Sequence, residues 1–264
     1  MRTLYTKLSL SQFKCLDKSE GWTNTEPYLW NVFFKIDGST IIVNDKFQLE
    51  GKPTYHFSVG SHGNLNAKDI VGGDVVGITE EVGTWKTSLV PLKIPYFETH
   101  ISGVIGVVSI LMEQNLVSAQ GAEAGHEALN KYVMEAIDAS IVGFDPKRVD
   151  IHDIDKSVKR FFDAQVREFS EQIGPLVSQA VASAQSVVQN ILSLVKKDIV
   201  IGYKIWDFSS AGIELDGMET NFSQRFESGK YGDWEIRGRL SAKYDDDDRN
   251  ALKKRKSSAL EEEE

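Results

Sequence analysis

His126 in the stretch AGHEALNK is followed directly by Glu127, which is how a two-histidine zinc motif begins. The second histidine of that motif would stand one helical turn further on, where the chain has Asn130, so a zinc hydrolase of this type is excluded. His126 falls on the apolar side of a helical pattern, where a packed, hydrogen-bonded imidazole is expected. VDIHDID gathers His152 with Asp150, Asp153 and Asp155, a set able to hold a divalent cation. The same acids suit a helix start, where they cap free N–H groups and oppose the dipole. Ser61 and His62 are sequence neighbours and so do not face one another, and no G-x-S-x-G elbow surrounds a serine. GGDVVG, residues 72–77, has neither a phosphate-binding lysine nor a following helix signal and reads as a turn.

A second set of groups consists of oxygen donors at predicted strand ends. Asp17 and Glu20 lie in CLDKSEGWTNTEP, Glu26 closes that loop, Glu113 and Asn115 end the apolar stretch in LMEQN, and Asp198 opens DIVIG. Calcium takes about six to eight oxygens from flexible loops, and loops gathered at one end of a sandwich supply them well. These six residues are the expected metal ligands, with calcium as the expected cofactor.

The elements that must position them change period twice. From residue 4 to about 112 the period is two. YLWNVFFKID sets Tyr28, Trp30, Val32, Phe34 and Ile36 against Leu29, Asn31, Phe33, Lys35 and Asp37, the alternation of a half-buried strand, and Asp37-Gly38 reads as a hairpin turn into STIIV. Further strands are predicted in TYHFSVG, DVVGITEEV and SLVPLKI. HISGVIGVVSILME is rich in β-branched residues and too short for a bilayer, and it predicts a central strand buried on both faces. Leu8, Leu10, Phe13 and Cys15 read as inward positions around a small irregularity, with Cys15 a buried thiol.

From residue 119 to 197 the period becomes 3.6. One helix carries Ala122, His126, Leu129, Val133, Ile137 and Ile141 on one side, and a second stripe runs from Val158 to Val195 across Gly174-Pro175. The two predict an inserted antiparallel helical hairpin, its long segment spanning roughly 60 Å if continuous. Over residues 198–243 the alternation returns, with Trp234, Ile236, Gly238 and Leu240 opposed to Glu235, Arg237 and Arg239. Residues 244–264 are blocks of charge and predict a disordered tail.

The segments TEPYL, LMEQN and KDIVIG, in that order, resemble the acidic loop, the spaced acids of a middle strand and the late D-D-F-I-G element of C2 domains. The resemblance extends to uncharacterised bacterial proteins with a C2-like sandwich interrupted by a helical pair. It implies an α+β chain: an antiparallel C2-like β-sandwich formed by residues 1–118 and 198–243 around a long α-helical hairpin. Glu26 stands in place of the family aspartate, Gln114 and Asn115 where a second acid belongs, and Lys197 for a late aspartate, so the implied calcium site is of low affinity.

The formal net charge of −9 over 264 residues provides no basic field for nucleic acid or an anionic membrane. With a single cysteine there is no intramolecular disulfide, and the N-terminal residues lack an apolar signal region, so a cytoplasmic protein is expected. No catalytic constellation stands out. A non-enzymatic binding or assembly protein is the expected class, working through a protein partner or as a homo-oligomer by way of the helical arm. The alternatives are a membrane-active or pore-forming protein and an enzyme of unknown class.

Overall fold

The computed structural model describes residues 2–17, 26–46, 48–60, 62–96, 100–114, 119–142, 199–227 and 232–244. In chain order the elements are β1 (Leu4–Asp17), β2 (Pro27–Ile36), β3 (Ile41–Val43), β4 (Leu49–Gly51), β5 (Thr54–Phe57), β6 (Val75–Gly77), α1 (Glu80–Gly83), β7 (Thr84–Leu89), β8 (Leu92–Lys93), β9 (His100–Ile101), β10 (Val104–Glu113), α2 (Ala119–Val142), β11 (Ile199–Ser209), α3 (Ser210–Leu215), β12 (Glu219–Glu227) and β13 (Asp233–Tyr244). The second predicted helix, with its stripe from Val158 to Val195, lies outside the described residues, as do the VDIHDID loop and the tail from residue 245 on.

Among the described residues all strand pairing is antiparallel, and it forms two main sheets. The first has the order β12-β13-β1-β6 with β7 also paired to β1, and the second has the order β11-β10-β2-β5. A single apolar core lies between them: Leu4, Leu8, Leu10, Phe13, Trp234, Ile236 and Leu240 from the first sheet meet Leu29, Phe33, Ile105, Val107, Leu111 and Trp206 from the second. The inward set of β1 skips a beat between Leu10 and Phe13 because a bulge at Leu10/Gln12 shifts the register there.

Strands β2 and β10 pair along their full length, from Pro27 opposite Glu113 to Ile36 opposite Val104. Alternation in β2 predicted one buried face, yet all but its last residue are buried. The reason is a third layer. Helix α2 lays Ala122, His126, Leu129, Val133 and Ile137 over Tyr28, Trp30, Val32, Phe34, Val108, Ile110 and Met112, while the face that period-two patterning would leave wet, Leu29, Asn31, Phe33 and Lys35, is buried toward the first sheet. Leu129, Val133 and Ile137 each contribute about 1.5–3 kcal/mol by this burial. β10 is buried throughout, as its unbroken apolar run predicted. The chain leaves the second sheet after β10 and returns as β11, its hydrogen-bonded neighbour, so residues 114–198 are an excursion between paired strands. Among the described residues no helix is long and apolar enough to cross a membrane.

Two local expectations change. Asp37-Gly38 does not close a hairpin, because β3 pairs with β4 and not with β2. The DVVGITEEV segment holds the three-residue β6 and then turns into α1 instead of continuing as a strand. The first change has a clear cause in Asp37, which is 0% exposed. Its Oδ2 accepts from Lys35 Nζ at 3.0 Å and from the Val90 N–H at 2.9 Å, and its Oδ1 accepts from the Ser39 hydroxyl at 2.5 Å and the Ser39 N–H at 3.2 Å. Lys35, 7% exposed, spends its remaining donors on Ser39 Oγ at 3.1 Å and on the Ser88 carbonyl of β7 at 2.9 Å. A carboxylate satisfied inward in this way draws the turn toward the first sheet and away from a hairpin. Gly38 follows so closely that a Cβ there would stand 2.3 Å from the Pro91 carbonyl oxygen.

Removing one member of a buried, fully bonded ion pair leaves the other charge without a partner. Asp37→Ala is therefore expected to lower the unfolding free energy by about 3–5 kcal/mol. The double change Lys35→Met/Asp37→Ala is expected to cost less than the sum of the single ones. Urea denaturation of the three variants checks both statements, and additive costs would refute the pairing.

Candidate functional site: a polar groove and the strand-end acids

Outward residues of β12, β13 and β1 line a groove of about 940 Å³ on the side of the first sheet away from the core. Strand register arranges them in rows. Glu219, Ser241 and Lys7 form one row; Asn221, Arg239 and Ser9 the next; Ser223, Arg237 and Gln12 the third. Each guanidinium is thus flanked in its own row by small hydroxyl or amide side chains, and the acids Glu219 and Glu235 stand in other rows. Arg237 pairs with Glu235 at 2.7 Å and Arg239 with Glu219. Lys7 and Lys86 both bond Glu80, whose carboxyl is held below its ordinary range by these hydrogen bonds. The Glu235 carboxylate in turn raises the Arg237 guanidinium, which stays charged.

The lining presents three cations against two carboxylates, in a chain whose net charge is −9. Here an acidic protein presents positive groups together with hydroxyls. Close packing beneath supports it: Phe222 lies across Gly238 and against Trp206 and Phe208, and a Cβ on Gly238 would stand 2.3 Å from the Phe222 ring. Ser9 accepts from the Thr84 hydroxyl at 3.1 Å and Ser11 donates to the Arg237 carbonyl at 3.3 Å, so these two hydroxyls are tied to the sheet. The lining contains no histidine or cysteine; its chemistry is hydrogen bonding and ion pairing.

The alternating pattern of DWEIRGRLSAKY assigned Arg237 and Arg239 to the outward face. Sequence reasoning missed that they face Asn221, Ser223, Ser9 and Gln12 across neighbouring strands, since register between distant segments leaves no local trace.

The oxygen-donor set is placed differently. Glu113 is buried at the end of β10, and its Oε1 accepts the Glu26 N–H at 3.0 Å. Gln114 donates its own N–H to the Glu26 carbonyl at 3.1 Å. Pro27 has no N–H, so the ladder cannot begin with an ordinary bond at this residue, and these two contacts fasten the strand start one residue earlier. Glu26 joins through its backbone; its side chain is half-buried. Asp17 is exposed and pairs in register with Asp233 at the far end of β1. Glu20, Asn115 and Asp198 lie outside the described residues. Among the described residues no three His, Cys, Asp or Glu side chains come together as a metal-ligand group.

His62 lies edge-on to Tyr28, with ring centroids 5.2 Å apart, and Ser61 is outside the described residues. His126 is buried, as its helical spacing predicted, and stacks on Trp30, but among the described residues no hydrogen bond reaches its Nε2. Comparison with protein-family models, curated proteins and solved structures finds no match for this chain.

The Glu26–Glu113 geometry predicts an asymmetry. Glu113→Ala leaves the Glu26 N–H without its acceptor and is expected to cost about 1–3 kcal/mol, whereas Glu26→Ala keeps that N–H and should stay within about 0.5 kcal/mol of wild type. Thermal or urea unfolding of both variants measures it. Equal losses would mean that the Glu26 side chain carries the contact.

Proposed function

We propose that the chain is a non-enzymatic binding and assembly protein. It is built as a C2-like sandwich whose groove over β12, β13 and β1 receives a polar partner surface. The excursion between β10 and β11, begun by α2 and continued as a helical hairpin, serves as its assembly arm. The groove carries this reading: guanidiniums, hydroxyls and amides in register rows suit recognition by hydrogen bonds and exchanged ion pairs. Exposed pairs of this kind are individually weak, about 0–1 kcal/mol each, so they favour a specific fit over tight binding.

The edge strand supports recognition through side chains. β12 is the outer strand of its sheet, and Glu219, Arg225 and Glu227 stand exposed along it. Charges on an edge strand discourage the addition of a further strand. Both signs alternate across the groove, and a patch of mixed sign can meet a second copy of itself about a two-fold axis. A homo-oligomer in the cytoplasm is the form proposed. A low-affinity calcium site on Asp17, Glu20, Glu26, Glu113, Asn115 and Asp198 completes the C2-like reading.

Light scattering on the full chain is expected to give a mass above that of one chain, falling toward the monomer in Arg237→Glu/Arg239→Glu. A monomer at every concentration, for both proteins, would overturn assembly. For calcium, the wild type is expected to melt higher with the ion than with a chelator, and Glu26→Ala/Glu113→Ala to lose the difference. Equal melting temperatures with and without calcium in both proteins would remove the cation from the reading.

A further inference from the structure

We infer that the contact between α2 and the second sheet is an acid-sensitive latch, in which protonation of His126 releases the helix and uncovers the aromatic face of β2. His126 is 8% exposed, and its ring stacks on Trp30 at 5.2 Å between centroids and 15° between planes. Trp30 is itself 7% exposed, and its Nε1, His126 Nε2 and the Oδ1 of Asn130 one turn along are all buried without a hydrogen-bond partner among the described residues. A neutral imidazole tolerates this apolar stack. An imidazolium there would need a carboxylate or an acceptor for each N–H, and among the described residues none bonds Nε2.

The surroundings support that statement. On α2, Glu123, Glu127 and Lys131 are exposed on the opposite side, and the β10 side chains of the layer are Val108, Ile110 and Met112. β2 contributes Tyr28, with His62 against its edge, and β4 carries the exposed Glu50. Tyr55 of β5 bonds Asp138 of α2 at 2.7 Å, and burial together with this carboxylate keeps its phenol protonated. Burial is the cause that lowers His126, from an ordinary 6.5 to about 4. Docking is therefore at full strength well above pH 6.5 and weakens as pH falls through 6.5 toward 4. For these two limits the docking equilibrium drops about thirty-fold at pH 5 and on the order of three-hundred-fold below pH 4.

Hydrogen exchange on the full chain, corrected for intrinsic rates, tests the latch. Between pH 7 and pH 5, α2 amides are expected to lose about twenty-fold in protection. The β1 and β13 amides should hold theirs. His126→Phe keeps a ring on Trp30 and removes the proton site, so its α2 protection should not change over this range. Should that variant fail to fold, the wild type alone decides: the His126 imidazole C–H resonance and α2 protection must titrate together. Loss of α2 and β13 protection in parallel would mean global unfolding and overturn the latch. So would a His126→Phe response equal to wild type, or an imidazole titrating with no change in α2.

Discussion

The two sheets hold a fixed relation because the inner face of β2 is fastened at three successive inward positions to the continuous segment of α1 and β7, whose strand belongs to the opposite sheet. Asn31 donates from Nδ2 to the Val82 carbonyl at 2.8 Å, Phe33 meets Trp85 at 6.4 Å between ring centroids, and Lys35 donates to the Ser88 carbonyl at 2.9 Å. Apolar packing alone resists sliding weakly, since one aliphatic side chain replaces another at little cost. A buried donor aimed at one carbonyl does not permit such slippage, because every other position leaves it unbonded. The same strand carries the Trp30 face on its other side, so the order of α2, second sheet and first sheet hangs on β2.

The polar groups within this layer are unevenly satisfied. Every donor of Lys35 is used, whereas Asn31 Oδ1 and the Ser109 hydroxyl, opposite each other on β2 and β10, have no hydrogen-bond partner among the described residues. An unmet buried polar atom costs about 1–3 kcal/mol, a large share of the stability of a typical domain. Asn31 also donates its N–H to Ser58 Oγ at 3.1 Å, and the Ser58 N–H returns to the Asn31 carbonyl at 3.0 Å. A little further along, the Asn64 amide bonds both the N–H and the carbonyl of Leu29, standing in for a strand where β5 has ended. Edge satisfaction by side chains fixes where these residues sit, and the unmet atoms are the cost of that placement.

Local pattern predicted what local physics determines. Alternation located β2, β11, β12 and β13, and the 3.6 period located α2 together with the side that it buries. The bulge in β1 was visible as a missed beat between Leu10 and Phe13. What could not be read is what covers each face. Tyr28, Trp30, Val32 and Phe34 alternate with Leu29, Asn31, Phe33 and Lys35 like a strand with one wet side, yet α2 covers the first set and the first sheet covers the second. Asp37-Gly38 has the composition of a hairpin turn, and only the inward Lys35 and the Val90 N–H prevent it from closing one. The groove was half legible: the outward arginines were in the pattern, but their cross-strand neighbours depend on a register between residues more than two hundred positions apart. Glu113 was found as a strand-end acid, and its bond to a backbone N–H follows from Pro27 having none.

Groove and helix lie on opposite sides of the molecule, with both sheets between them. A partner seated on Arg237 and Arg239 touches β12, β13 and β1, while α2 rests on β2 and β10, and these share no strand. Mechanical coupling between them must cross the core through Leu8, Phe13 and Trp234 packed against Leu29, Phe33 and Ile105. Close-packed interiors transmit displacement only where two arrangements are available, and the cross-sheet bonds of Asn31 and Lys35 leave this core one register. The two faces therefore act independently. Acid that loosens α2 leaves the groove in place, and a ligand in the groove leaves the aromatic face of β2 covered.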